Sequence, residues 1–256
     1  MAQFDAYFKR YEKKYLLSPE QYEKLRQRLP EHFEPDRFHL SEISNIYFDT
    51  PTNRLVRASN EKPDYKEKFR VRVYGDPETS TEAFLELKKK FHGVVYKRRE
   101  AVPLNGLDID DICSGTQDTQ ISREIRRLFD FYGPLKPAMF LSYRRIALRG
   151  IEDPELRITF DGDIRYRTDD LSFKDPDSGK RLLPNGEILM EIKTGASLPM
   201  WLSRILSELK IWPASFSKYG KAFLQEEVKR IGAPEFRMKP VLNPAHTAPL
   251  ERQQIA

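Results

Sequence analysis

The chain has 256 residues, of which 39% are hydrophobic and 12% aromatic, enough to bury one substantial core. Its 44 Lys+Arg against 39 Asp+Glu leave a net charge of only +5, so nucleic acid does not follow from charge, and what matters is where the cations sit. A single cysteine, Cys113, excludes a disulfide framework and a cysteine-based zinc site, and no window approaches the roughly 18 to 20 apolar residues that span a bilayer.

Met1 to Asp5 runs into charged residues without an apolar signal core, so the expectation is a cytoplasmic protein with no direct membrane insertion. A first strand is read in Arg10-Tyr11-Glu12-Lys13-Lys14-Tyr15. Ser18-Pro19-Glu20-Gln21 then supplies a hydroxyl cap, a proline at the first helical position and a capping-box Gln, which predicts a helix to about Leu29, before Pro30. Strands are predicted at 43–49, 66–74, 82–89, 94–102, 139–149, 155–161, 164–167 and 187–194. Turn formers stand between several of them: Gly75-Asp76-Pro77, His92-Gly93, Asp161-Gly162-Asp163 and Asn185-Gly186. Further helices are predicted at 119–132, 198–210 and 217–231. Residues 1–232 read as one domain and 233–256, with Pro234, Pro240, Pro244 and Pro249, as a mobile tail. Short connections favour a mainly β fold, an antiparallel meander closing on itself.

Successive strand side chains point to opposite faces. In Lys66-Glu67-Lys68-Phe69-Arg70-Val71-Arg72-Val73, four cations therefore share one face and Phe69, Val71 and Val73 the other. Cations in a row repel, so that face must turn to water or to a polyanion. Mixed cations and carboxylates recur on one face elsewhere: Glu86, Lys88 and Lys90; Lys97 and Arg99; Tyr143 and Arg145; Arg157, Thr159 and Asp161; Glu191 and Lys193. Neither a Gly-x-x-x-x-Gly-Lys-Ser/Thr nor a Gly-x-Gly-x-x-Gly loop is present to cradle phosphates. His32, His39, His92 and His246 have no metal-ligand spacing. Aromatics fall mainly on the apolar phase, which argues against base stacking and so against nucleic acid.

Seven motifs, taken in order, resemble the VTC domain, the polyphosphate polymerase branch of the triphosphate tunnel metalloenzymes. They are Arg10 to Tyr15, Ile46-Tyr47-Phe48-Asp49-Thr50, Lys68 to Arg72, Leu85-Glu86-Leu87-Lys88, Ser142-Tyr143-Arg144-Arg145, Glu191-Ile192-Lys193 and Phe216-Ser217-Lys218-Tyr219. The resemblance covers about residues 5–225 and implies a closed, eight-stranded antiparallel barrel with flanking helices. Its lumen would carry basic residues for phosphate chains and carboxylates for Mg²⁺ or Mn²⁺. The hydrolase branch has Glu-x-Glu-x-Lys on its first strand where this chain has Arg10-x-Glu12-x-Lys14; exchanging a carboxylate for a cation moves the site toward phosphate and away from a second metal.

The resemblance implies a transferase that uses ATP and inorganic polyphosphate. Arg70, Arg72, Lys88, Arg145 and Arg157 would clamp the triphosphate, Arg being suited to bidentate contacts. Arg10, Lys14, Lys97, Lys193, Ser217 and Lys218 would hold the chain. Glu191 is the leading metal ligand, with Glu12 and Glu86 behind it, because Mg²⁺ takes one or two carboxylates and completes its shell with phosphate and water. Glu86 could equally be an ion-pair partner of Lys88 or Arg70, and the bland reading of the whole set is solvated strand faces. Asp161 is read as opening a turn, and Tyr47 and Asp49 as structural residues at the barrel mouth. The expected reaction is transfer of the ATP γ-phosphoryl group to a growing chain. Alternatives are hydrolysis of tripolyphosphate in the same tunnel, with Glu12 holding the water, and a non-catalytic polyphosphate-binding module.

Overall fold

Alternation on one side and helical stripes on the other lead to one nine-stranded antiparallel sheet covered by helices. The computed structural model of the chain describes residues 11–61, 63–92, 94–107, 119–195 and 197–232. Arg10, Cys113, His246 and the tail from 233 lie outside the described residues. In chain order the strands are β1 (Tyr11–Leu17), β2 (Phe33–Asp49), β3 (Tyr65–Tyr74), β4 (Glu82–Phe91), β5 (Val94–Pro103), β6 (Lys136–Gly150), β7 (Arg157–Arg167), β8 (Lys180–Arg181) and β9 (Ile188–Thr194). The helices are α1 (Pro19–Arg26), α2 (Arg54–Glu61), α3 (Gln120–Tyr132), α4 (Met200–Glu208) and α5 (Lys218–Arg230).

The order across the sheet is β1-β9-β7-β6-β2-β3-β4-β5, with β8 beside β7. Among the described residues its ends, β1 and β5, do not pair with each other, so the expected closed barrel is corrected to an open sheet. Part of the open edge of β1 is already taken, since Ala214 donates its N–H to the Lys14 carbonyl and Tyr15 bridges to Pro213. The sheet is nevertheless strongly rolled. Six strand spacings separate β1 from β4, nearly 30 Å in a flat sheet, yet Lys88 on β4 feels the charges of Glu12 and Lys14 on β1.

Apolar side chains on the convex face hold the helices. Phe69, Val71 and Val73 of β3, with Leu85 and Leu87 of β4, pack on Ile125, Leu128 and Phe129 of α3. Tyr15, Ile158, Phe160, Met190 and Ile192 pack on Leu25 of α1 and on Leu202 and Leu206 of α4. One end of the concave face is itself apolar: Tyr47, Met139, Leu141 and Tyr143 are covered by Tyr219, Ala222 and Phe223 of α5. Helix α5 therefore fills one end of the trough and leaves the other to the charges.

Three sequence readings are corrected. Strand β2 begins ten residues before the predicted Ile43, because its first half pairs with the end of β6 although its own pattern is polar. Helix α2 was unpredicted; the Asp49 carboxylate organises it by accepting the backbone N–H groups of Thr50, Leu55 and Val56. Residues Asp161-Gly162-Asp163 form no hairpin but lie within the continuous β7, where the pairing with β6 slips between Ser142 and Arg144. The slip reverses the alternation. Ile158 and Phe160 before it face the convex core, and Ile164 and Tyr166 after it join the α5 core.

Candidate active site

Two walls of the concave face carry the charges. The first is built by β3, β4 and β5. Counting outward from the β4–β5 hairpin puts Glu86 opposite Arg99 and Lys88 opposite Lys97, and the β3–β4 register adds Arg70 opposite Glu86 and Lys68 opposite Lys88. Glu86, only 1% exposed, is the hub. Arg70 donates Nε and a terminal nitrogen to one of its oxygens at 2.8 and 2.6 Å, and Arg99 does the same to the other at 2.9 and 2.6 Å. Lys97 stands 3.1 Å and Arg72 3.6 Å away. Burial alone would raise its pKa, but Arg70, Arg72, Lys97 and Arg99 together hold this carboxyl well below the usual range. One carboxylate thus answers four cations.

Arg72 lies deeper. Its three nitrogens donate to Asn45 Oδ1, the Tyr74 hydroxyl and the Tyr143 hydroxyl at 2.9, 3.1 and 3.3 Å, so it braces the wall. Arg70 also donates to the Tyr47 hydroxyl, and Tyr47 stacks on Tyr219.

Beside the hub, Lys68, Lys88 and Lys97 stand directly opposite one another on three strands. Lys68 donates to the Ser217 hydroxyl at 2.9 Å, and no carboxylate among the described residues pairs with Lys68 or Lys88. Burial pushes the Lys68 pKa down to about 7, with Lys88, Lys66, Lys14 and Arg70 adding repulsion. Lys88 is shifted down by desolvation, with Lys14 and Arg70 adding to it, and Lys97 by burial, with Arg70 and Arg99 adding to it. Like charges facing across a sheet are unfavourable; this row stores repulsion that an anion would relieve.

The second wall, β1-β9-β7-β6, is balanced. Glu191, opposite Lys14 and Thr159 in register, accepts from Lys14 at 2.8 Å and lies 3.8 Å from Lys218. Asp161, fully buried, takes Arg145 bidentately at 2.6 and 2.7 Å and also binds Lys218. Burial opposes ionisation of both carboxyls, but Lys218 with Lys14 and Arg145 keeps Glu191, and Lys218 with Arg145 keeps Asp161, below their ordinary values. Lys218 sits 4.4 Å over the Tyr143 ring. It is placed by α5, whose first turn is capped by the Ser217 hydroxyl accepting from the Gly220 N–H. Arg157 pairs with Asp36 of β2, and Lys193 lies opposite Arg157 and Glu12.

The structure therefore gathers Arg70, Arg72, Lys88 and Lys97 on one wall and Lys14, Arg145, Glu191 and Lys218 on the other, with Ser217 joining them through Lys68. Arg157 and Lys193 form the next row outward on the balanced wall. Arg99 and Lys68 are central although neither is among the site residues expected above; the hairpin register is the signal that could have found them. Asp161 belongs to the site and not to a turn. Asp49 is structural, since Tyr219 also donates to it at 2.9 Å. The three described histidines are engaged elsewhere: His32 stacks on Trp201, His39 binds the Ala147 carbonyl and His92 lies near Asp64.

No cluster of three His, Cys, Asp or Glu side chains suited to a metal occurs among the described residues. Glu191 and Glu12 do share Lys14, at 2.8 and 3.4 Å. Two neighbouring carboxylates are a donor set that fits Mg²⁺ or Mn²⁺ when phosphate oxygens and water complete the shell. Glu86 has no oxygen left for a metal. No helix among the described residues is long and apolar enough to cross a membrane.

The VTC domain family profile matches residues 9–226. Among solved structures, the chain is similar to a candidate adenylyl cyclase from Hippeastrum described as having a dominant triphosphatase activity, with 17% identity over 88% of this chain and 96% of that one and a TM-score of 0.44. It is also similar to candidate adenylate cyclases from Bacillus halodurans, with 14% identity over 92% and 96% and a TM-score of 0.43, and from Vibrio parahaemolyticus, with 15% identity over 84% and 97% and a TM-score of 0.41. None of the curated protein sequences compared with the chain matches it.

Proposed function

The chain belongs to the VTC domain family, and on that premise we propose that it is a cytoplasmic, metal-dependent polyphosphate polymerase, moving the γ-phosphoryl group of ATP onto inorganic polyphosphate within a single domain that spans residues 1–232. The observation that carries this reading is the Lys68–Lys88–Lys97 row across three strands, an arrangement that pays off only when a polyanion lies along it. Phosphoryl transfer asks the protein mainly for positioning and charge neutralisation. Arg70 and Arg99, held by Glu86 and with Arg72 bracing the wall, would contact the phosphates from one side. Arg145 and Lys218, held by Asp161, would do so from the facing wall. Lys14 and Lys193 extend the track. Glu191 with Glu12 would hold Mg²⁺ or Mn²⁺, which when bound neutralises charge on the transferring phosphate oxygens.

Hydrolysis needs a base for its water, and Glu86 and Asp161 are committed to cations, which leaves that task to Glu12. A terminal phosphate is already ionised and needs no base. Incubation with ATP and Mn²⁺ or Mg²⁺, with ADP, orthophosphate and chain length followed together, tests the proposal. Lengthening chains with one ADP per added phosphate support it. Orthophosphate release without chains would identify a triphosphate hydrolase, and unchanged ATP with bound chains a non-catalytic module.

A further inference from the structure

We infer that the Thr159 hydroxyl is a substrate contact, donating to a non-bridging phosphate oxygen of the chain bound between the two walls. On β7, Thr159 shares the concave face with Arg157 and Asp161, while Ile158 and Phe160 lie in the convex core. Its register neighbours are Glu191 on β9 and Ala147 on β6. The Ala147 side chain, itself buried, offers the hydroxyl no polar partner. Lys14, Lys218 and Arg145 belong to the same wall, each bound to Glu191 or Asp161.

Glu191, Asp161, Lys14, Lys218 and Arg145 all have partners, whereas the Thr159 hydroxyl has none. The residue is 8% exposed, and its Oγ1 is buried without a hydrogen-bond partner. A buried unsatisfied hydroxyl is costly, and valine would fill the same volume without that cost. A hydroxyl at this place is explained by an acceptor that arrives with the ligand. Neither neighbouring carboxylate accepts from it: Glu191 binds Lys14 and Asp161 binds Arg145 and Lys218. A phosphate oxygen drawn in by Lys14, Lys218 and Arg145 meets the requirement, and a neutral donor completes its shell without adding another cation to the face.

The inference rests on the proposed use of the trough for phosphate chains, and its test separates the two. Tripolyphosphate binding to the full chain is measured calorimetrically in EDTA, so that no metal contributes, for the parent, Thr159→Val and Thr159→Ser, alongside the melting temperature of each free protein. Thr159→Val should bind about tenfold more weakly, the scale of one hydrogen bond to a charged group, while melting no lower than the parent because an orphan donor is gone. Thr159→Ser should stay within about threefold of the parent. Unchanged affinity in Thr159→Val, with the parent binding normally, overturns this inference alone. A lowered melting temperature with unchanged affinity also overturns it, by showing a structural hydroxyl. A parent that binds no tripolyphosphate overturns this inference and the functional proposal together.

Discussion

The two walls of the concave face are made of the same residue types and behave oppositely. On one, Glu191 of β9 and Asp161 of β7 are interleaved with Lys14 of β1, Arg145 of β6 and Lys218 of α5, and each of these five has a partner. On β3, β4 and β5, Glu86 faces four cations and Lys68 and Lys88 face none of opposite sign among the described residues. A buried pair left with one member is strongly destabilising, so the balanced wall is fixed in place before any ligand arrives. The unbalanced wall waits for charge. Separating a rigid, neutral half from a repulsive half lets one trough both bind a polyanion and hold a carboxylate beside it.

The largest effect expected from breaking this contrast is at Glu191. Glu191→Gln removes the metal-holding charge from the balanced wall, and turnover of ATP should fall by two orders of magnitude or more. Lys14 keeps Glu12 and Lys218 keeps Asp161, so the variant should still fold, with a cooperative melt. Activity within about threefold of the parent at saturating Mn²⁺ would remove Glu191 from the mechanism.

A smaller effect, of opposite sign for stability, is expected at Lys88. Lys88→Met relieves repulsion from Lys68 and Lys97, so the free protein should melt about 1–3 °C higher, while tripolyphosphate binds several-fold more weakly. A destabilised Lys88→Met with parental affinity would mean that the row is structural.

The charged groups should also respond to pH in two windows. The folded pKa of Lys68, about 7 against an ordinary 10.5, means that between those values the unfolded chain holds a proton that the folded protein lacks. Stability of the ligand-free protein should therefore rise with pH through that window, and Lys68→Met should flatten the rise. Glu191 and Asp161 have folded values below their unfolded ones. Their contribution is complete above the unfolded carboxylate range and is lost as pH falls through the folded values, as is that of Glu86 on the other wall. Melting temperatures from pH 3 to 10 resolve both windows; a flat profile between 7 and 10 would contradict the Lys68 assignment.

Strand alternation made the cationic face and most strand positions legible, because apolar and charged residues alternate in β3 and from Leu85 to Lys88 of β4. The first half of β2 was hidden since its partner, the end of β6, lies over a hundred residues away and its own pattern is polar. Helix α2 was hidden because its start depends on Asp49 side-chain bonds, not on a helical stripe. The slip beside Gly162 reads as a turn in the sequence, since Asp-Gly-Asp is turn chemistry unless strands on both sides already hold it. At the site, types and faces were legible and most pairings were not. The Glu86–Arg70 pair stands among the sequence readings, but only the register adds Arg99 to it, and only the rolled sheet brings Lys218 to Asp161 and Lys68 to Ser217.

The central claim, that the concave face is a polyanion track and not a diffuse basic surface, is tested most directly by thermal shift at fixed salt and equal phosphate-unit concentration. Orthophosphate, tripolyphosphate, long-chain polyphosphate and duplex DNA are compared. A chain engages several clamps at once and gains the advantage of linked contacts, so stabilisation should grow steeply from orthophosphate to tripolyphosphate and polyphosphate. Duplex DNA, about 20 Å across, is too wide for a trough on the scale of an eight-stranded barrel and should stabilise far less. Equal shifts for all four ligands would contradict the account.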